Sequence, residues 1–219
     1  MKKPLFTGVC TALVTPFLNE TVNYPLMELL IQRQIDAGIG AVVVAGTTGE
    51  SPTLRDSEKI TLFKKCKDYA SDQCLIIAGT GSNDTSHSIE LSIAAEETGA
   101  DALLVVSPYY NKTTPDGIIM HYLAICQAVS IPVIIYNVPG RTGLDIPIFV
   151  YHQLAKIPNI AGVKEASTDI TKIAKIRNAC GPDFSIWSGN DDQIVPTISM
   201  GYNLMGWFGK RTPVMKPDD

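Results

Sequence analysis

The chain has 219 residues, 45% hydrophobic and 18% charged, enough for one well-buried domain without requiring a second. A formal net charge of −4, with lysines scattered rather than gathered into a stripe, gives no electrostatic footprint for nucleic acid. No segment approaches the roughly 18 apolar residues of a membrane span, so a membrane partner is not expected.

The first stretch, MKKPLFTGVCTALVTPF, has the basic-then-apolar order of a signal peptide. Thr7, Gly8 and Thr11 interrupt the run and no small-residue cleavage site follows, so it reads as a first core strand. Further apolar runs start at Ala41 (AVVVAG), Cys74 (CLIIAG), Ala102 (ALLVVS), Val133 (VIIYNV), Ile160 (IAGVKEA) and Phe184 (FSIWSG). They recur at intervals of roughly 30 residues, the size of a βα unit, and are continuously apolar, as strands covered on both faces should be. Helical patterns fall between them at 24–37, 56–69, 85–98, 115–129, 147–156, 169–179 and 191–200. Several open on an Asp, Ser or Thr cap or a first-turn Pro, and several stop at a Gly. Seven βα units in regular alternation predict an α/β fold of the (β/α)8 TIM-barrel type. A doubly wound sheet is disfavoured because the phosphate fingerprint G-x-G-x-x-G is absent after the first strand.

Polar residues collect at the C-terminal ends of these runs: Thr47 and Thr48 between two glycines, Tyr109-Tyr110, Tyr136-Asn137, Arg141 after Pro139-Gly140, Lys164-Glu165, and Ser188-Gly189-Asn190. In a barrel those ends share one face, where barrel enzymes place their chemistry. Lys164 admits two readings, a packed lysine whose head reaches water or a Schiff-base nucleophile made neutral by an apolar interior. Tyr136 is a core aromatic or a proton relay. Thr47 and Thr48 form a simple turn or bind a small carboxylate, and Arg141 is a surface charge or a planar fork for one. Singly each plain reading competes; jointly they require a coincidence on one face. The five cysteines, odd in number and without a C-x-x-C pair, read as free thiols in a reducing compartment. His87, His121 and His152 lack ligand spacing, so no metal site is expected.

GTTGESPTL (46–54), SPYYNK (107–112), YNVPGRTG (136–143), GVKEAS (162–167) and SGNDD (188–192) together resemble the dihydrodipicolinate synthase (4-hydroxy-tetrahydrodipicolinate synthase) family of pyruvate-dependent Schiff-base aldolases and lyases. The resemblance runs from about Leu5 to Met200, and PGRTG favours the synthase over N-acetylneuraminate lyase or keto-deoxy-sugar aldolases. It implies a cytoplasmic enzyme of lysine and diaminopimelate biosynthesis that condenses pyruvate with L-aspartate 4-semialdehyde, without a cofactor, as a homotetrameric dimer of dimers. It implies Lys164 as the imine-forming amine, and Tyr136, Thr47 and Tyr110 as a proton relay in which Tyr110 reaches a neighbouring subunit's site. Thr48 would bind the pyruvate carboxylate, Arg141 the semialdehyde carboxylate, and Gly189 would supply a backbone contact. At positions where lysine-inhibited members bind lysine, this chain carries Asp56, Lys59 and His87, which implies weak or absent feedback.

After Met200 the resemblance stops, so the barrel domain is assigned to 1–200 and a non-matching tail to 201–219. The expectation is a truncated barrel, its eighth strand and C-terminal helical region missing or replaced, with NLMGWF as a possible substitute strand. A missing strand would leave two edges unpaired, so a catalytically incompetent chain stands beside the active enzyme as an alternative.

Overall fold

The computed structural model describes residues 4–199 and 205–208. Eight parallel strands form a closed barrel, β1 (Cys10–Ala12), β4 (Ala41–Val44), β5 (Leu75–Gly79), β6 (Ala102–Val106), β7 (Val133–Asn137), β8 (Ile160–Glu165), β9 (Ser185–Ser188) and β10 (Met205–Phe208). Outside it run α1 (Tyr24–Asp36), α2 (Asp56–Ala70), α3 (Thr85–Glu97), α4 (Pro115–Ala128), α5 (Pro139–Thr142), α6 (Ile148–Leu154), α7 (Ile170–Cys180) and α8 (Ile194–Ser199). The Asp and Thr cap signals behave as read: Asp84, Thr114 and Asp169 each accept a first-turn backbone N–H, and Pro115 opens α4; Asn23, not among those signals, caps α1 in the same way.

Continuous apolar runs are explained by two cores that divide each strand by parity. Ala41, Val43, Ile134 and Tyr136 point into the barrel, where Phe6 stacks on Trp187 at 5.1 Å between ring centroids. Val42, Val44, Val133 and Ile135 point outward against the helices. Most positions of β4 to β9 are therefore buried, and no polar alternation is available to mark the faces. Between β7 and β8 the register shifts once, Val133 pairing with Ile160 but Ile134 with Gly162, so Ala161 has no counterpart. Beyond that shift Tyr136 pairs with Lys164 and Asn137 with Glu165.

Of the two expectations for the eighth strand, missing or replaced, the structure bears out the second, because β10 lies within NLMGWF. β10 supplies the eighth strand, pairing with β9 through Met205 and Gly206 and with β1 through Trp207 and Phe208, so neither neighbour is left as an edge there. The expected loss of the C-terminal helical region falls on 209–219, outside the described residues. Three smaller differences have local causes. A two-stranded hairpin, β2 (Phe17–Leu18) with β3 (Thr21–Val22), turns on Asn19 and Glu20, both at positive φ; two-residue strands are too short to leave a periodic signal. Pro147 caps α6 rather than starting it. The helical pattern at 191–200 divides into a 3-10 turn, Asp191–Gln193, and α8.

Candidate active site

Lys164 lies near the C-terminal end of β8, facing into the barrel between Tyr136 on β7 and Trp187 on β9. It is 7% exposed, and its Nζ sits 4.5 Å from the centre of the Tyr136 ring. Burial lowers its pKa from 10.5 to about 7; the Arg141 charge acts in the same direction, while Cys10 and Asp191 oppose it. The consequence is chemical. An amine at its ordinary pKa is neutral in about one molecule in 3,000 at pH 7, whereas one titrating at 7 is neutral in about half.

The turn after β4 presents both threonines. It is held by Glu50 N–H donating to Thr47 O (3.1 Å) and Ser51 N–H to Gly46 O (3.3 Å), and it is bracketed by Ala45 and Glu50 at φ 51° and 57°. Left-handed non-glycine residues cost about 1–3 kcal/mol each, and they cluster where a loop must aim a group. Burial pushes the Tyr136 phenol up, while a hydrogen bond with the Thr47 side chain and the Arg141 charge pull the other way. Arg141 stands on α5, which opens on Pro139 and stops at the left-handed Gly143.

These groups converge on a cavity of about 160 Å³ lined by Lys164, Tyr136, Thr47, Thr48, Arg141 and Gly189, with Ala12, Leu104, Val138 and Asn190 among its other walls. Six of the seven residues singled out from the sequence therefore share one chamber. The seventh, Tyr110, does not: it is 88% exposed on a backbone at φ 70° and lines neither this chamber nor the next. Asn190 was not singled out as a site residue, although it stands in SGNDD. It is anchored by Nδ2 donating to Ser167 O at 2.7 Å.

A second chamber of about 540 Å³ opens outward and shares Thr47, Tyr136 and Arg141 with the first. Its far wall carries Asp56, Lys59 and His87. Both oxygens of Asp56 are engaged, Oδ1 by Lys59 Nζ at 3.2 Å and Oδ2 by His87 Nε2 at 2.8 Å. Among the described residues no cluster of His, Cys, Asp or Glu has the grouping to hold a metal ion, and no helix is long and apolar enough to cross a membrane.

The chain matches the model of the Dihydrodipicolinate synthetase family over residues 5–205. It is 47% identical over 201 residues to the 4-hydroxy-tetrahydrodipicolinate synthase of Acetivibrio thermocellus, covering 92% of this chain and 68% of the relative. With the Clostridium perfringens 4-hydroxy-tetrahydrodipicolinate synthase it shares 45% identity over 197 residues, 90% of this chain and 68% of the relative. The crystal structure of a dihydrodipicolinate synthase from Bacillus anthracis superposes with a TM-score of 0.90 at 38% identity, covering 94% of this chain and 70% of that one. A lysine-bound dihydrodipicolinate synthase from Cyanidioschyzon merolae also gives 0.90, at 42% identity over 93% of this chain and 70% of that one.

Proposed function

Because the chain belongs to the dihydrodipicolinate synthetase family, we propose that it condenses pyruvate with L-aspartate 4-semialdehyde to 4-hydroxy-tetrahydrodipicolinate, in lysine and diaminopimelate biosynthesis. The observation that carries this reading is a buried lysine titrating near 7 inside a small chamber that also holds two threonines, a tyrosine and a guanidinium. The neutral Lys164 amine adds to the pyruvate ketone, and loss of water leaves a protonated imine. That imine is the electron sink that makes a methyl proton removable, giving an enamine whose carbon attacks the semialdehyde aldehyde. The substrate's own amine then attacks the imine carbon, closes the ring and expels Lys164 unchanged.

Thr48 holds the pyruvate carboxylate, Arg141 the semialdehyde carboxylate, and Gly189 offers backbone beside the pyruvyl group. Tyr136 and Thr47 pass protons, a role favoured by the hydrogen bond between them. Tyr110, outward-facing in one chain, serves the same relay in a second copy, so the active form is at least a dimer, and we favour a dimer of dimers. Four of the five thiols are buried and all five are free, in keeping with a reducing, cytoplasmic setting. Closure of the barrel by β10 supports the active enzyme over an incompetent chain.

Borohydride reduction in the presence of pyruvate tests the reading. It should leave a reduced pyruvyl group on the peptide containing Lys164; a folded chain that stays unmodified overturns it. The outer chamber carries a further expectation. Binding a lysine molecule there would place an ammonium beside the Lys59 cation, with both oxygens of Asp56 already engaged. Lysine at about 1 mM should therefore leave most of the activity intact, an affinity weaker than about −4 kcal/mol. Half-inhibition below that concentration would contradict it.

A further inference from the structure

Glu165 follows the nucleophile directly and, by strand parity, faces away from the chamber into the layer between sheet and helices. It is fully buried, and its partners are all donors. Asn137 Nδ2 donates to both oxygens (2.8 and 3.1 Å), the Tyr151 hydroxyl to Oε2 (2.9 Å) and the Ser167 N–H to Oε1 (2.8 Å). A donor-only shell suits a carboxylate, which is acceptor only. The network continues outward. Asn137 Nδ2 also donates to Asp145 Oδ1 at 2.9 Å, Asn137 Oδ1 accepts from Ile146 N–H at 3.2 Å, and Lys172 on α7 pairs with Asp145.

The placement is specific. Asn137 and Glu165 are paired across β7 and β8 one residue after Tyr136 and Lys164, so the acid-amide pair backs the reacting pair from behind the sheet. Asn137 also fastens the far end of the 138–145 loop, which carries Arg141. Burying a carboxylate is costly, and apolar residues would close the same space at lower cost. What an apolar pair does not supply is a single allowed register. Parallel ladder bonds are evenly spaced, and β8 already carries an unmatched residue, so the backbone alone discriminates weakly against a slip. A charge-assisted bond from Asn137 to Glu165 fits one pairing only.

We propose that Glu165 is a positioning residue: by tying β7, β8, α6 and the Arg141 loop to one buried carboxylate, it holds the Lys164 amine against Tyr136 in its reactive geometry. The proposal rests on the reading of Lys164 as the imine-forming amine. Wild-type protein that forms no trapped adduct would defeat that reading first, independently of any Glu165 variant.

The test compares wild type, Glu165→Gln and Tyr151→Phe, each confirmed as folded by its thermal transition. The readouts are the rate of borohydride-trapped adduct formation with pyruvate, its dependence on pyruvate concentration, and its pH midpoint. For Glu165→Gln the saturating rate should fall about 30-fold, because small misplacements of a reacting group cost about that much or more. The half-saturating pyruvate concentration should change less than about threefold. The pH midpoint should rise from about 7 towards that of an ordinary lysine, since a displaced amine regains water. Tyr151→Phe removes a single donor and should move rate and midpoint in the same direction by less. A Glu165→Gln protein that is less stable but keeps the wild-type rate and midpoint overturns the proposal. If Glu165→Gln does not fold, Tyr151→Phe decides by the same criterion.

Discussion

Lys164→Met is expected to abolish the pyruvate adduct, to reduce turnover by about 10⁴-fold or more, and at the same time to make the fold more stable. The two effects share one cause. Desolvation moves the amine from 10.5 to about 7, so below pH 7 the folded protein carries a buried ammonium that the unfolded chain would hold in water. Between about pH 7 and 10.5 the native state releases that proton while the unfolded state keeps it, so wild-type stability rises with pH through this window. A shift of this size sets an upper bound of about 5 kcal/mol, and relaxation of the site leaves about 1–4 kcal/mol as the expected gain for an apolar replacement of similar length. Urea unfolding at pH 6 and at pH 10 checks it: the methionine variant should exceed wild type most at pH 6, and the margin should narrow at pH 10. A variant less stable than wild type at pH 6 would mean that the ammonium is better compensated than its burial indicates.

Gly162→Ala should be the most damaging conservative change in the strand that carries Lys164. A Cβ there would lie 2.1 Å from Ser185 O and 2.7 Å from the carbonyl carbon, both backbone atoms of β9, with φ at 154°. Flexible side chains cannot relieve such a contact; the two strands must part. The expected cost is about 3–5 kcal/mol, at the severe end for a single substitution, and the β8–β9 pairing that sets Lys164 against Trp187 should loosen with it. Gly40→Ala is the matched control, since its Cβ would meet nothing nearer than 3.9 Å. Thermal unfolding of the two variants should differ by about 6–20 °C, on the scaling of about 2–4 °C per kcal/mol for a domain of this size.

Much of the architecture was readable because β4 to β9 are buried on both faces and so keep uninterrupted apolar runs, while Asp84, Thr114 and Asp169 mark helix starts by a local hydrogen bond. The chamber was readable for a related reason: strand ends in a barrel share a face, so Thr47, Tyr136, Arg141 and Lys164 need no long-range knowledge to be grouped. β10 was harder, since four residues with little periodicity are recognisable only through the partners they complete. The Glu165 network was invisible for a different reason. Uniform apolarity hides parity, and without parity Lys164 and Glu165 look like neighbours rather than occupants of opposite sides of a sheet.

That opposition gives the unmatched Ala161 a meaning beyond local geometry. Three steps separate Val133 from Tyr136 on β7, but four separate Ile160 from Lys164 on β8, and Ala161 is the step that the shift absorbs. Deleting that single residue would restore an unbroken ladder from Ile160 to Lys164 and leave the ammonium opposite Tyr136, whereas removing a further residue would turn a carboxylate into the chamber and an ammonium among the helices. The strand that holds Lys164 thus carries one residue of slack. Relatives one residue shorter between Val133's partner and the lysine are therefore expected to need no compensating change on the same strand, and relatives two residues shorter to need one.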